Sequence, residues 1–231
     1  MKHCIAIITA RGGSKRIPRK NIKSFLGKPI LQYSIDAAKD SGLFDEVMVS
    51  TDDDEIASLA IKLGATVPFM RSAGSSNDLA TTSEVLIEVL RQYREIGKEF
   101  DAGCCIYPTA PFVTADKLKN AYRLLIDKNA DSVIPVTRFS FPIWRSFKLE
   151  EGRVSYIWPE NMMKRSQDLS PAFYDCGQFY FFNTSAFLKT NNLVSENAYA
   201  LQIPETEVQD IDNEEDWLIA EIKYKALKIR E

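Results

Sequence analysis

Five cationic side chains and two adjacent glycines lie within residues 10–21, directly after a short apolar segment. The glycines let the backbone bend and bring its N–H groups close to an anion. Like charges at this density repel one another unless a polyanion or solvent neutralises them. The pattern predicts a polyanion site, with a solvated charge run on a surface loop as the alternative. The cations are Arg11, Lys15, Arg16, Arg19 and Lys20.

The spacing within this loop differs from two common nucleotide-binding motifs. It fits neither G-x-G-x-x-G nor G-x-x-x-x-G-K-[ST], because Ser14 and Lys15 follow Gly13 directly. The loop therefore argues against a dinucleotide dehydrogenase and against a P-loop NTPase.

Two aspartates near the end of the chain, Asp210 and Asp212, form a second candidate group. In a strand, residues two apart point to the same face, so the two carboxylates would converge. Mg²⁺ keeps several waters and takes few protein ligands, so a carboxylate pair beside phosphates suits it. We expect this pair to bind Mg²⁺, with Mn²⁺ as a substitute. The alternative is a capped turn before the last helix, with Asp212 or Asn213 as N-cap.

Apolar runs alternate along the chain with segments of helical period, and this alternation predicts an α/β fold with a mainly parallel sheet covered on both faces. In such sheets ligands bind at the carboxyl ends of the strands, and the 10–21 loop follows the first strand. The expected strands are 3–9, 46–50, 66–69, 103–107, 131–136 and 178–182. The expected helices are 30–41, 53–62, 82–96, 115–128 and 216–227.

Residues from about 137 to 175 interrupt this alternation. The stretch is rich in aromatic and basic residues, which predicts a hairpin-like excursion from the main sheet. Because no linker or repeat divides the sequence, we expect residues 1–231 to form one domain with this excursion as an arm.

The composition excludes several classes of protein. A net charge of −3 gives no bulk attraction to nucleic acid or to an anionic membrane. The first residues lack the apolar length of a signal peptide, and no segment reaches the roughly 18 apolar residues of a membrane span. A Cys/His zinc cluster is disfavoured because the chain has one histidine. We expect a cytoplasmic protein with four buried, reduced cysteines.

The letters ARGGSKRIPRKN at 10–21 resemble the signature loop of the sugar-acid cytidylyltransferases, the family of CMP-sialic acid and CMP-KDO synthetases. The resemblance runs from residue 4 to about 217, with five motifs in the family order. It implies a three-layer, nucleotide-diphospho-sugar transferase-like (Rossmann-like) fold. It also implies transfer of CMP from CTP to a nonulosonic acid, with release of pyrophosphate.

The same resemblance implies roles for residues on the nucleotide side. Arg11, Ser14 and Lys20 would hold the triphosphate, and Asn21 would contact the nucleoside. Arg71 and the segment 77–83 would read cytosine; a helix N-cap at Thr81 or Thr82 is the alternative for that segment. The implied catalytic residues are Arg11, Lys20, Asp210 and Asp212. The implied nucleotide-binding residues are Ala10, Arg11, Gly12, Gly13, Ser14, Lys20, Asn21, Arg71, Asp78, Thr81 and Thr82.

On the sugar side, residues 107–112 read YPTAPF where the family has Q-P-T-S-P. Tyr107 replaces the glutamine and Val113 stands where a final arginine is common. The letters RSQDL and DCGQFY further along resemble the pseudaminic acid branch of the family. Arg165 suits the sugar carboxylate, because a guanidinium fork matches it bidentately. The implied sugar-binding residues are Tyr107, Thr109, Arg165, Gln167, Asp175, Gln178 and Tyr180.

Residues 50–56, STDDDEI, also resemble a family segment, but we interpret them as a helix start capped by Thr51 or Asp52. The 137–175 arm resembles the family's dimerisation arm and implies a homodimer. Three alternatives stay open: a related enzyme acting on KDO, N-acetylneuraminic acid or legionaminic acid, a non-catalytic nucleotide-binding protein of the same fold, and a nucleic-acid-binding module. No general base is identified, and His3 lies at the opposite end of the first strand.

Overall fold

A seven-stranded sheet forms the centre of the chain in the computed structural model, which describes residues 3–77 and 79–229. The strands are β1 (Cys4–Thr9), β2 (Ser24–Phe25), β3 (Lys28–Pro29), β4 (Glu46–Ser50), β5 (Ala102–Ile106), β6 (Ser132–Arg138), β7 (Phe147–Glu150), β8 (Arg153–Tyr156), β9 (Phe173–Asp175), β10 (Phe179–Asn183) and β11 (Ala198–Gln202). The helices are α1 (Ile30–Ser41), α2 (Asp54–Lys62), α3 (Ala73–Ser76), α4 (Thr82–Glu95), α5 (Ala115–Asp127), α6 (Thr184–Thr190) and α7 (Glu214–Lys228).

The order of the main sheet is β11–β6–β10–β5–β1–β4, and β9 pairs with β6. Strand β1 is parallel to both β4 and β5, and β11 is parallel to β6. Strand β10 is antiparallel to β5 and β6, and β9 is antiparallel to β6. Five of these seven strands therefore run in one direction, which confirms the predicted α/β class and the mainly parallel sheet. The carboxyl ends of β1, β4, β5 and β6 meet at one edge.

Alternate residues of β1 face the two helical layers. Ala6 and Ile8 pack with α1, α2 and α5, whereas Ile5 and Ile7 pack with α4 and α6. All four side chains are fully buried, as expected for a strand covered on both faces. The result is a three-layer arrangement in which the loops at the sheet edge are free to form a site.

The C-terminal helix α7 packs against the region that follows the first loop and against the start of α1. Trp217 of α7 contacts Phe25 edge to face, at 5.6 Å between ring centroids. Ile17, within the glycine-rich loop, and Ile30, at the start of α1, belong to the same buried cluster. The two ends of the chain are thereby joined beside the sheet edge.

One predicted strand is wrong. Residues 66–69 form only isolated bridges at their ends, from Thr66 to Met48 and from Met70 to Thr51. Pro68 lies between them and has no N–H to donate to a ladder, so pairing does not propagate. The other predicted strands and helices are present, with bounds shifted by two residues or fewer.

The arm at 137–175 contains the antiparallel β7–β8 hairpin. This hairpin makes a sheet of its own, apart from the main one. Large apolar side chains of the arm are exposed. They are Phe141, Phe147, Leu149, Val154, Ile157, Met162, Met163 and Phe173.

Candidate active site

The glycine-rich loop leaves the carboxyl end of β1 and is anchored by the loop that follows β4. The N–H of Ala10 donates to the carbonyl oxygen of Ser50 at 2.9 Å, and the N–H of Gly12 donates to Oδ1 of Asp52 at 2.8 Å. The N–H of Ser14 donates to the Gly12 carbonyl at 3.0 Å. Three backbone donors of the loop are thus used within the protein, so anion binding falls mainly to the cationic side chains.

Gly12 is required by the close approach of α2 to the loop. A Cβ at this position would lie 2.8 Å from Oδ2 of Asp53, whereas a Cβ on Gly13 would meet nothing within 4 Å. The Asp53 side chain cannot easily move, because Oδ1 accepts from the N–H groups of Glu55 and Ile56 at 3.0 Å. Asp53 is therefore the N-cap of α2, and the predicted caps Thr51 and Asp52 are wrong. Asp52 holds the glycine-rich loop instead.

Arg19 is the one cation of the five that turns from the cavity toward α2. Its backbone is left-handed, with φ 57°, and its guanidinium pairs with the carboxylates of Asp53 and Glu55. The pKa of the Asp53 carboxyl is lowered, chiefly because it accepts hydrogen bonds from the Arg19 guanidinium. This pairing fixes the outer turn of the loop.

The remaining four cations line a cavity of about 420 Å³ at the sheet edge. Tyr107 and Pro108, just after β5, form the opposite wall. A single carboxylate, that of Asp212, also lines this cavity. The cations are Arg11, Lys15, Arg16 and Lys20, and the smaller polar residues are Thr9, Ser14, Asn21 and Thr109. The geometry suits a multiply charged anion.

Asn21 lies at the floor of this cavity and is 6% exposed. Its amide donates to the carbonyl oxygen of Arg11 at 2.7 Å, so it closes the loop upon itself. We infer that Asn21 shapes the loop. A direct contact with the nucleoside would have to be made by Oδ1 or by the second N–H of the Asn21 amide.

The two predicted metal-binding aspartates lie in an irregular segment between β11 and α7, and not in a strand as expected. Asn213 is the N-cap of α7, with Asp216 completing a capping box, so Asp212 remains free of that role. Oδ1 of Asp212 lies 2.9 Å from the Arg16 guanidinium and 3.9 Å from Nζ of Lys20. Nζ of Lys20 also donates to the Ile211 carbonyl at 2.6 Å. The aspartate segment and the basic loop thus meet directly.

The ionised form of Asp210 is disfavoured in the folded protein. Burial, followed by the charge of Asp212, raises the pKa of Asp210 above its ordinary value. Burial lowers the pKa of Lys20, and the two aspartates partly offset that shift. Among residues 3–77 and 79–229, no group of three or more His, Cys, Asp or Glu side chains is arranged to hold a metal ion. A pair of carboxylates nevertheless fits Mg²⁺ where phosphate oxygens and water complete its shell.

Two further cations clamp the segment that leads to these aspartates. Nζ of Lys223 donates to the Val208 carbonyl at 2.6 Å. Nζ of Lys117 lies 2.7 Å from the Glu207 carboxylate and 2.7 Å from the Phe112 carbonyl, which joins the 107–113 loop to the aspartate segment. Sequence reasoning missed both lysines, because their partners are distant along the chain.

Only part of the group expected to bind cytosine, Arg71 and residues 77–83, faces the site. Nε and NH2 of Arg71 donate to Oγ and to the carbonyl of Ser50, at 3.1 and 2.6 Å, and burial lowers the pKa of the guanidinium. Asp78 lies outside the described residues. Thr81 caps α4 in a capping box with Glu84, as the alternative interpretation expected. Thr82 points toward the site, where its Oγ1 lies 3.1 Å from the Tyr107 hydroxyl.

The predicted sugar-binding residues divide into two groups. Tyr107 and Thr109 line the basic cavity, while Asp175 lines a neighbouring cavity of about 410 Å³. Four carboxylates lie in that second cavity: Asp175, Asp210, Asp212 and Asp216. Asp212 belongs to both cavities, so a basic and an acidic compartment adjoin at this residue.

Two of these residues are too buried to face a ligand directly. Gln178 is 1% exposed, and its Nε2 donates to the Glu207 carbonyl at 2.7 Å. Tyr180 is 6% exposed, and its hydroxyl donates to Oδ2 of Asp175 at 2.7 Å. Both therefore support neighbouring groups.

Arg165 and Gln167 lie on the arm, outside both cavities. The Arg165 guanidinium pairs with Asp168 through Nε at 2.8 Å and NH2 at 3.0 Å, and 72% of its side chain is exposed. The structure does not bring these two residues to the site within one chain.

Comparisons with known proteins agree with this geometry. Residues 5–169 match the protein family described as cytidylyltransferase. A pseudaminic acid cytidylyltransferase of Campylobacter jejuni is 43% identical over 225 residues, which cover 96% of each chain. The chain belongs to the cytidylyltransferase family.

Other members of the cytidylyltransferase family extend the comparison. A CMP-N,N'-diacetyllegionaminic acid synthase of Legionella pneumophila is 30% identical, over 94% of each chain. The solved structure of CMP:2-keto-3-deoxy-manno-octonic acid synthetase complexed with CTP superposes with a TM-score of 0.70 at 15% identity, covering 98% of this chain and 99% of that one. The latter likeness shows a shared fold. The predicted nucleotidyltransferase-like architecture is confirmed.

Within the part of this cytidylyltransferase that the structure describes, no helix is both long and apolar enough to span a membrane.

Proposed function

We propose that the chain transfers CMP from CTP to the anomeric hydroxyl of a nonulosonic acid, pseudaminic acid, and releases pyrophosphate. The observation that carries this proposal is the meeting of the basic cavity with Asp210 and Asp212 at the carboxyl edge of the sheet. The full-length similarity to pseudaminic acid cytidylyltransferase supports the choice of sugar.

CTP fits the basic cavity by charge. Its triphosphate would lie among Arg11, Ser14 and Lys20, with Lys15 and Arg16 at the rim. As pyrophosphate leaves, negative charge grows on its oxygens, and fixed cations at this distance stabilise it. Arg11 and Lys20 therefore act as the catalytic cations.

Asp210 and Asp212 would hold Mg²⁺ or Mn²⁺. The bound cation would neutralise phosphate oxygens and align the attacking and leaving groups. Without it, the aspartate charges are offset by Lys20 and Arg16. Arg16 and Lys20 would then be available to the triphosphate.

The reaction would be an in-line displacement at the α-phosphorus. The anomeric hydroxyl forms the new P–O bond, the bond to the β-phosphate oxygen breaks, and the hydroxyl proton passes to solvent or a bound water. Catalysis then consists mostly of positioning and electrostatics, supplied by the two compartments that adjoin at Asp212.

The 137–175 arm would bind a second copy of this chain. The exposed apolar side chains of the β7–β8 hairpin, among them Leu149 and Val154, are of the kind that forms an interface core. We propose a homodimer in which each arm brings Arg165 to the partner's sugar carboxylate. Leu149→Glu should shift the mass measured by light scattering from dimer to monomer. Leu218→Glu, on exposed α7, is the matched control.

We also place the protein in the cytoplasm. The four cysteines, Cys4, Cys104, Cys105 and Cys176, are all free and buried. Burial raises the pKa of each thiol. Unpaired thiols are the norm in a reducing compartment.

The test is pyrophosphate release from CTP and Mg²⁺, with pseudaminic, legionaminic and N-acetylneuraminic acids and KDO offered separately. Selective turnover of pseudaminic acid is the expected result. Selective turnover of another acid would keep the reaction and change the sugar. If folded, metal-loaded protein turned over none, the proposed function would be wrong.

A further inference from the structure

A run of hydroxyl groups joins the start of α4 to Asp175. Oγ1 of Thr82 lies 3.1 Å from the Tyr107 hydroxyl. The rings of Tyr107 and Tyr180 meet edge to face at 5.6 Å. The Tyr180 hydroxyl then donates to Oδ2 of Asp175 at 2.7 Å. One end of this run lies on the nucleotide side, and the other lies in the acidic cavity.

The direction of the hydrogen bonds follows from the groups themselves. An ionised carboxylate only accepts, so the single proton of Tyr180 is committed to Asp175. The Tyr107 hydroxyl is hydrogen-bonded to Oγ1 of Thr82, and its ring packs against the ring of Tyr180. Burial raises the pKa of both tyrosines, so both keep their protons at neutral pH.

Asp175 is held at both of its oxygens. Oδ1 accepts from the N–H of Gly177 at 2.8 Å, in a turn where Gly177 has φ 60°. Oδ2 accepts from Tyr180. The carboxylate is nevertheless exposed, and it lines the acidic cavity beside Asp210 and Asp212. Each oxygen keeps a lone pair for a further donor.

We propose that Tyr180 and Tyr107 are positioning residues that aim Asp175 at an O–H or N–H donor of the sugar acid and tie its orientation to the nucleotide side through Thr82. This inference rests on the proposed function. In this inference neither Tyr180 nor Tyr107 contacts the sugar directly. It also orients the substrate, because the Asp175 carboxylate accepts from the donor-bearing part of the sugar and repels the sugar's own carboxylate.

The test compares steady-state kinetics of Tyr180→Phe, Tyr107→Phe and Asp175→Asn. Each removes a hydroxyl or a charge and keeps the shape, so the ring packing remains. We expect the KM for the sugar acid to rise about 10-fold in Tyr180→Phe, the loss typical of one hydrogen bond to a charged group, with the KM for CTP unchanged. Because the residues act in series, Tyr180→Phe should add little in an Asp175→Asn background.

Tyr33→Phe is the matched control. It also removes a buried hydroxyl hydrogen bond, from Tyr33 to the Phe25 carbonyl at 2.8 Å, but on α1 and away from both cavities. Its KM for the sugar acid should equal that of the wild type. Thermal unfolding of each variant shows whether the fold is intact.

The outcomes separate this inference from the proposed function. If the wild type turns over a sugar acid and Tyr180→Phe retains the wild-type KM for it, the positioning role is wrong and the function stands. Additive effects in the double variant, or equal rises in both KM values, would mean a structural role only and would also overturn the inference. A wild type that turns over no sugar acid removes the function and this inference together.

Discussion

The ammonium group of Lys20 lies 3.9 Å from the Asp212 carboxylate, although 191 residues separate Lys20 from the Ile211 carbonyl that it also binds. The contact joins the cation that we propose for triphosphate binding to a carboxylate that we propose for metal binding. In the free protein the two halves of the site therefore neutralise each other. Both charges must find new partners when metal and nucleotide enter.

The burial of Asp210, together with the nearby charge of Asp212, predicts a gain in stability when Asp210 is neutralised. A carboxyl whose pKa is raised in the folded state binds its proton more tightly there, so its ionised form weakens folding above that pKa. Asp210→Asn should raise the melting temperature of the metal-free protein at pH 7, and the gain should vanish as the pH falls toward 4. Pyrophosphate release should fall roughly 100-fold or more.

Differential scanning calorimetry of the metal-free proteins measures this effect. Glu196→Gln, at an exposed position outside the site, controls for the loss of one negative charge. A lower melting temperature for Asp210→Asn would contradict the proposed strain between the two aspartates.

The two glycines of the basic loop should respond differently to alanine. At position 12 a Cβ would collide with the fixed Asp53 side chain, whereas position 13 has open space. We expect Gly12→Ala to lower the free energy of unfolding of the ligand-free protein by about 1–3 kcal/mol, the usual cost of overpacking. Gly13→Ala should stay within about 0.5 kcal/mol. Urea denaturation of both variants measures this, and equal effects would refute the argument.

The Arg19–Asp53 pair predicts a specific dependence on pH. The pKa of Asp53 is lowered in the folded state, so the ionised carboxylate stabilises the fold. This stabilisation is fully present above the unfolded-state pKa of about 3.9 and is lost as the pH falls through the folded-state pKa. Arg19→Gln should cost about 1 kcal/mol at pH 7, since the pair is partly exposed. The difference from wild type should shrink below about pH 4.

Denaturation curves collected between pH 3 and pH 7 test this dependence. Arg123→Gln, an exposed arginine of α5, serves as control. A difference for Arg19→Gln that persists unchanged at pH 3 would mean that the Asp53 charge is not its source.

Lys117 should matter for stability and for turnover. Its removal leaves the Glu207 carboxylate and the Phe112 carbonyl without this donor, at a side chain that is only 12% exposed. Lys117→Met should cost about 1–3 kcal/mol. Because Glu207 precedes the aspartate pair, kcat should also fall. Lys119→Met, exposed on the same helix, should change neither. Chemical denaturation and pyrophosphate release supply the two readouts.

The sequence predicted the local elements well where one pattern dominated. The apolar run predicted the bounds of β1, because a buried strand consists almost entirely of apolar residues. The glycine after α1 predicted the end of that helix, because glycine is the residue favoured at a left-handed C-cap. The segment 66–69 failed because Pro68 stops the ladder. Strand β11 was missed because its outer side is exposed, as at Tyr199, so it lacks a continuous apolar run.

The sequence predicted the residue types of the site better than it predicted their geometry. Asp212 contacts Arg16 and Lys20 from an irregular segment, whereas the sequence predicted that it would lie in a strand. The functions of Gln178 and Tyr180 depend on their burial, which no local motif encodes. Asp52 had a signal in the STDD letters, but its partner, the N–H of Gly12, is defined only by the fold.

The packing of Ile17 against Trp217 has a consequence during synthesis. About 200 residues separate these two side chains, and translation at ~5–20 residues per second needs ~10–40 s to cover them. Until α7 leaves the ribosome, Ile17 lacks part of its apolar cover, and the basic loop lacks the contacts of Lys20 and Arg16 with the segment before α7. Nucleotide binding by the nascent chain should therefore be complete only after α7 has emerged.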